Sequence, residues 1–120
     1  MHGLCNYADH VHALVHCKQA GMLSQFTQQW KRRSSIKLKE WIKKHLPAYA
    51  TGIGMGEPIW QARYYDFNVF SQKMINENLE YVHNNPVKAG LVAKVEDWKH
   101  GSARWYLLGE QVGIEIASFW

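Results

Sequence analysis

A change of hydrophobic period confines this chain to a mixed α and β fold. The run from His10 to Cys17, His-Val-His-Ala-Leu-Val-His-Cys, is short, apolar and partly β-branched. That is a strand pattern, and it extends over roughly residues 4–16. From Ser71 onward the spacing is helical instead. Met74, Ile75, Leu79 and Val82 fall on one face, and Ser71 stands where an N-cap belongs. Asn85-Pro86 predicts the end of this helix, because the residue before a proline avoids helical angles.

Between these two segments the chain changes character twice. From Met22 the apolar spacing of Leu23, Phe26 and Trp30 is helical, with Ser24 offered as a cap. Ser34-Ser35 interrupts the pattern, and Ile36, Trp41, Ile42 and Leu46 resume it, so two helical pieces are expected. Residues 47–58 hold Pro47, Gly52, Gly54, Gly56 and Pro58 and read as a flexible loop. Residues 60–70 are aromatic and β-prone, which predicts a strand. Beyond the second helical segment, residues 91–93 read as a short extended piece and residues 102–108 as a short helix. Val112, Ile114 and Ile116 alternate as in a terminal strand or a packed tail.

With 120 residues, 47% of them hydrophobic, the chain makes one domain, residues 1–120, with a core of its own. No apolar run approaches the roughly 20 residues of a membrane span, and no signal-peptide pattern opens the chain. Cys5 and Cys17 are too few for a disulfide framework. They suit a reducing compartment, and the expected location is the cytoplasm, with no membrane partner.

The net charge is +4, but it is concentrated. Lys18, Lys31, Arg32, Arg33, Lys37, Lys39, Lys43 and Lys44 are opposed in their region by Glu40 alone. Such a cluster attracts a polyanion, since each neutralised phosphate releases condensed counterions. A solvated helix face accounts for the same charges equally well.

On a strand, residues i and i+2 share a face. His10 and His12 therefore project together and can converge on one ion, with His16 again on that side. Tyr81 and Asn85 are neighbours one turn apart on a helix, with Glu77 a turn earlier and Asn78 nearby. Two imidazoles and an amide oxygen form a hard-to-intermediate ligand set that suits Mg²⁺ or Mn²⁺ and leaves room for phosphate oxygens. A phenol ionises near pH 10 or so and is a weak nucleophile at neutral pH. A metal that polarises a phosphate compensates for this weakness. The pattern suggests metal-assisted cleavage of a DNA strand by a tyrosine.

These residues carry a family resemblance. The chain resembles the HUH single-tyrosine transposases, and most closely the REP-associated tyrosine transposases, relatives of small insertion-sequence enzymes. The matching stretches are Asp9-His10-Val11-His12-Ala13-Leu14-Val15, the region from Leu23-Ser24 to Trp30-Lys31-Arg32-Arg33-Ser34-Ser35, and Trp60-Gln61-Ala62-Arg63-Tyr64-Tyr65-Asp66-Phe67-Asn68-Val69. The most specific is Leu79-Glu80-Tyr81-Val82-His83-Asn84-Asn85-Pro86-Val87-Lys88-Ala89-Gly90-Leu91-Val92, followed by Glu96-Asp97-Trp98 and Ser102-Ala103-Arg104-Trp105-Tyr106.

The resemblance implies an α+β fold with a ferredoxin-like antiparallel sheet and helices on one face. It implies His10 and His12 as the metal pair, Asn85 as the third ligand and Tyr81 as the nucleophile. Lys31, Arg32, Arg33, Lys37, Arg63 and Lys88 would hold single-stranded or hairpin DNA. The expected activity is cleavage and rejoining of single-stranded DNA through a 5′-phosphotyrosine, with Mg²⁺ or Mn²⁺ and as a monomer or homodimer. Two departures stand out. Tyr7-Ala8 precede Asp9 where the family usually has a proline just before the histidine motif. The family also places a strand and helix before the histidine strand, and here the chain begins almost at that strand. A domain lacking its first strand and helix is the resulting expectation. It leaves a second reading open: an inactive, truncated remnant that binds nucleic acid without cutting it.

Overall fold

The computed structural model describes residues 3–7, 9–53 and 56–117. It is an α+β arrangement in the order β1 (Gly3–Tyr7), β2 (His10–Leu14), α1 (Met22–His45), α2 (Pro47–Ile53), α3 (Gln72–Lys88), a 3₁₀ turn at Val95–Asp97, and α4 (Ala103–Leu108). Two compact units result. One combines Met1–His16 with Asn68–Trp120, and the other is Cys17–Phe67.

In the first unit the sheet among the described residues has two antiparallel strands. Gly3 faces Leu14, Cys5 faces His12 and Tyr7 faces His10. The single strand expected over residues 4–16 is therefore a hairpin. Period-2 patterning continues through both strands and does not mark where the first ends. The histidine strand accordingly has a paired neighbour in residues 3–7. A wider ferredoxin-like sheet is not seen among the described residues.

Helix α3 lies against β1. Its start is as expected: the Ser71 hydroxyl accepts a hydrogen bond from the Met74 amide at 3.2 Å, which satisfies one of the first-turn donors. Its end is not. The helix passes through Pro86 and reaches Lys88. The pre-proline bias is a steric preference, and here burial overrides it: Asn85 and Pro86 are both buried. The next turn closes in a Schellman motif. The Gly90 amide bonds Val87 O at 3.0 Å, the Leu91 amide bonds Pro86 O at 2.9 Å, and Gly90 takes φ +74°.

Leu79, Ala103 and Ile116 form the buried apolar centre of this unit. Ser102 is fully buried and shares a 2.7 Å hydrogen bond with His83 Nε2, joining α3 to the start of α4. Gly3 is buried where a Cβ would run into the Leu79 side chain. The alternating tail is a packed segment, not a strand: Ile116 is buried and residues 112–116 pair with no strand. Residues 91–93 likewise form no strand.

In the second unit α1 is one continuous helix of 24 residues. Ser34-Ser35 does not break it. Ser34 Oγ donates back to Lys31 O at 3.2 Å, a local bond that a helix tolerates. Gly21, not Ser24, precedes the first turn, with φ 83°. Lys43, Lys44 and His45 occupy the last turn, where positive charge suits the helix dipole. Residues 47–53, expected as loop, form α2. Pro47 is pre-set for a first helical position, and Ala50 is buried. Residues 60–67 are irregular, not a strand. Aromatic residues favour strands only where a sheet receives them. Here the side chain of Lys31 bonds the carbonyls of Gln61 at 2.8 Å and Arg63 at 3.1 Å. No helix among the described residues is long and apolar enough to cross a membrane.

Candidate functional site

The site candidates of the first unit come from β2 and α3. His10 and His12 project from the same strand face, and their ring centroids lie 5.0 Å apart in an edge-to-face arrangement. The His12 ring is also edge-on to Tyr81, at 5.8 Å. Two strand residues and one helix residue, distant in sequence, thus form a continuous row. Tyr81 is half exposed, at 52%.

The two imidazoles have different surroundings. His10 Nδ1 donates to Asp9 Oδ1 at 2.7 Å, a carboxylate being able only to accept. That bond places the ring proton on Nδ1, so Nε2 carries the lone pair, as in many metal-binding histidines. The same bond, with the Asp9 backbone and the nearby His10 ring, holds the Asp9 carboxyl below its ordinary range. His12 is shifted down chiefly by burial and then by the His10 charge. Its neutral form is therefore favoured, which is the form that ligates a metal.

Asn85 stands one turn beyond Tyr81 and is 6% exposed. Its Nδ2 is buried without a hydrogen-bond partner. A buried amide end left unsatisfied is costly. Rotating the amide puts the carbonyl oxygen at that position, and an oxygen there can receive a cation. An imidazole pair and an amide oxygen are donors of the kind that a hard or intermediate divalent ion takes. No cluster of three or more His, Cys, Asp or Glu residues gathers as a metal site among the described residues.

Some candidates lie elsewhere. Glu77 pairs with Lys73 at 3.8 Å, and Asn78 bonds Met74 O at 2.7 Å, so both serve their own helix. His16 follows the end of β2 and is exposed. Lys88 is brought onto Tyr81, with its ammonium 5.5 Å from the ring centroid. Lys31, Arg32, Arg33, Lys37 and Arg63 all belong to the second unit. Arg32, Arg33, Lys37 and Arg63 are exposed there, while Lys31 is engaged by backbone carbonyls.

Sequence reasoning did not single out Asp9, whose place directly before His10 was the available signal. Nor did it single out His83, which burial pushes down to about 4. No sequence signal announced the latter, because its partner Ser102 is 19 residues away.

Residues 1–85 match the family described as transposase, IS200-like. A protein of Haemophilus influenzae described as a REP-associated tyrosine transposase is 27% identical over 104 residues. That alignment covers 82% of this chain and 56% of the relative, so the chain spans little more than half the length of the protein it matches. No solved structure matches this chain.

Proposed function

From the membership of this chain in the IS200-like transposase family, we propose that it is a DNA strand transferase acting on single-stranded DNA through Tyr81. The supporting observation is the row formed by His10, His12 and Tyr81, with ring centroids 5.0 and 5.8 Å apart. It supports the reading because a phenol stands beside two imidazoles.

In this reading His10, His12 and Asn85 hold Mg²⁺ or Mn²⁺. The ion, when bound, supplies positive charge to the oxygens of the scissile phosphate. The other parts belong to the chain. Asp9 orients His10, and burial keeps His12 neutral. Tyr81 Oη forms a bond to phosphorus while the bond from phosphorus to the 3′ oxygen breaks. The phenol proton leaves to water, and the 3′ oxygen gains a proton. A 5′-phosphotyrosine and a free 3′-hydroxyl result, so the bond energy is kept for rejoining. Lys88 brings a positive charge to the side of Tyr81 where an anionic strand must approach. A homodimer would give each of two strand ends its own tyrosine.

The test is a denaturing gel of protein with labelled hairpin-bearing single-stranded DNA and Mg²⁺ or Mn²⁺. The reading requires a slow, protease-sensitive band that disappears with EDTA and with Tyr81→Phe. Cut DNA without such a band would make water the nucleophile. DNA bound but uncut would identify a nucleic-acid-binding remnant.

A further inference from the structure

Residues 17–67 hold nine Lys and Arg against three Asp and Glu, a formal charge of +6, while the rest of the chain holds five against seven, or −2. The net positive charge of the molecule is thus the property of one unit. Within that unit residues 60–64 are pinned along α1. Trp60 Nε1 donates to Ser34 Oγ at 2.8 Å, and the Trp60 ring lies 6.2 Å from Trp30. Lys31 holds the carbonyls of Gln61 and Arg63, with its ammonium 5.7 Å from the Tyr64 ring. Tyr64 and Ser24 share a 3.3 Å hydrogen bond between their hydroxyls.

The next residues behave oppositely. Tyr65 is 90% exposed, and Phe67 is 55% exposed. Their rings lie 6.1 Å apart, tilted by 53°. Water is a poor environment for two neighbouring aromatic faces. The segment that carries them is nonetheless tied to α1 just before them, which lowers the entropy cost of using them in binding. Exposed Arg63 directly precedes Tyr64, and exposed Arg32, Arg33 and Lys37 stand on the helix to which the segment is tied. Aromatic faces beside positive charge match a ligand with flat apolar faces on an anionic thread. Single-stranded nucleic acid has that chemistry.

We propose that Tyr65 and Phe67 form a base-stacking platform for single-stranded DNA, with the exposed basic residues of 17–67 holding the phosphates. The platform takes bases without reading their identity, since every base offers a π face. It rests on the DNA reading of the family for its ligand, but not on Tyr81 or on a metal.

The experiment is fluorescence anisotropy of the full chain with a labelled oligothymidine, in EDTA, over a range of salt. Tyr65→Ala and Phe67→Ala each weaken binding about ten-fold and leave the slope against salt unchanged. Tyr65→Trp binds at least as well as the native chain. The Arg32→Gln, Arg33→Gln pair lowers the salt slope instead. An abasic oligonucleotide binds the native chain as weakly as the double alanine variant does, and the double alanine change costs nothing further on that probe. Unchanged affinity in both alanine variants overturns the platform, as does an equal loss on abasic and base-bearing DNA. Thermal melts of the alanine variants at the native midpoint keep the comparison free of unfolding. Adduct formation at Tyr81 is read separately. A protein with the platform and no adduct loses the transferase reading alone, and one with an adduct and no aromatic dependence loses the platform alone.

Discussion

The ammonium of Lys88 lies 5.5 Å from the centre of the Tyr81 ring, seven residues away along α3. Two helical turns bring positions i and i+7 to one face, and the contact exists because the helix continues through Pro86. If it stopped at Asn85, Lys88 would leave the axis of the helix. In the proposed reaction Lys88 would meet the positive requirement of an anionic substrate beside Tyr81. Lys88→Met is expected to lower the rate of adduct formation at saturating DNA by about ten-fold, as expected for loss of one charged group that stabilises a transition state. Lys88→Arg should recover most of it. Single-turnover gels with both variants check this, and a Met variant as fast as the native chain would remove Lys88 from the site.

In the proposed site Asp9 acts through His10. Asp9→Asn keeps the size of the side chain but removes the charge that fixes the ring proton on Nδ1. Outer partners of this kind typically change metal affinity by about 10- to 100-fold. Titration of Mn²⁺ followed by electron paramagnetic resonance should show weaker binding by about ten-fold, with no change in thermal midpoint in EDTA, because the Asp9 side chain is 91% exposed. Equal Mn²⁺ affinities would mean that His10 is oriented by other contacts.

His83 makes stability depend on pH. Burial pushes its folded value down to about 4, below the ordinary value near 6.5, so the fold prefers the neutral ring. A depressed histidine contributes fully above the unfolded value and loses that contribution as the pH falls towards the folded value. His12, also shifted down by burial, acts in the same direction. The free energy of unfolding is therefore expected to fall between about pH 6.5 and pH 4, by about 2 kcal/mol from His83 after allowance for its partial exposure, and the thermal midpoint falls with it. His83→Gln should flatten that part of the curve, as seen by circular dichroism across the pH range.

Gly3 is occupied by the Leu79 side chain on the side where a Cβ would stand. Gly3→Ala should destabilise by about 1–3 kcal/mol through overpacking. The colliding atom is the end of a flexible side chain, so Gly3→Ala with Leu79→Ala should cost less than the two changes added together. Urea melts of the three variants measure the difference. Simple additivity would show that Gly3 tolerates a methyl group without touching Leu79.

Local signals were legible wherever a single segment carried them. The His10-Val11-His12 spacing, the Ser71 cap and the Tyr81–Asn85 turn each need only neighbouring residues, and each appears as expected. The missed boundaries share a cause. Pro86, Ser34-Ser35 and Pro47 are all breakers on average, yet each sits where a nearby group absorbs the cost. A buried turn closed by Gly90 and Leu91 absorbs it at Pro86. A back-bond from Ser34 to Lys31 O does so in α1, and the first position of α2 does so for Pro47. The strand expected over residues 60–70 failed for the reverse reason: β-prone residues had no strand to join, and a lysine took two of their carbonyls.

By itself, the sequence determined the chemistry that this protein has available: paired imidazoles at i and i+2, a phenol and an amide one turn apart, and a charge held almost wholly by residues 17–67. These depend on covalent order and on the periods of strand and helix, which are local. Only the tertiary structure decided that residues 3–7 fold back to pair with 10–14, that His12 meets Tyr81 at 5.8 Å, and that Asn85 is buried with an unsatisfied amide. Those outcomes require distant segments to close on each other. That closure costs chain entropy and is repaid by burial of the whole unit, not by any one segment read alone.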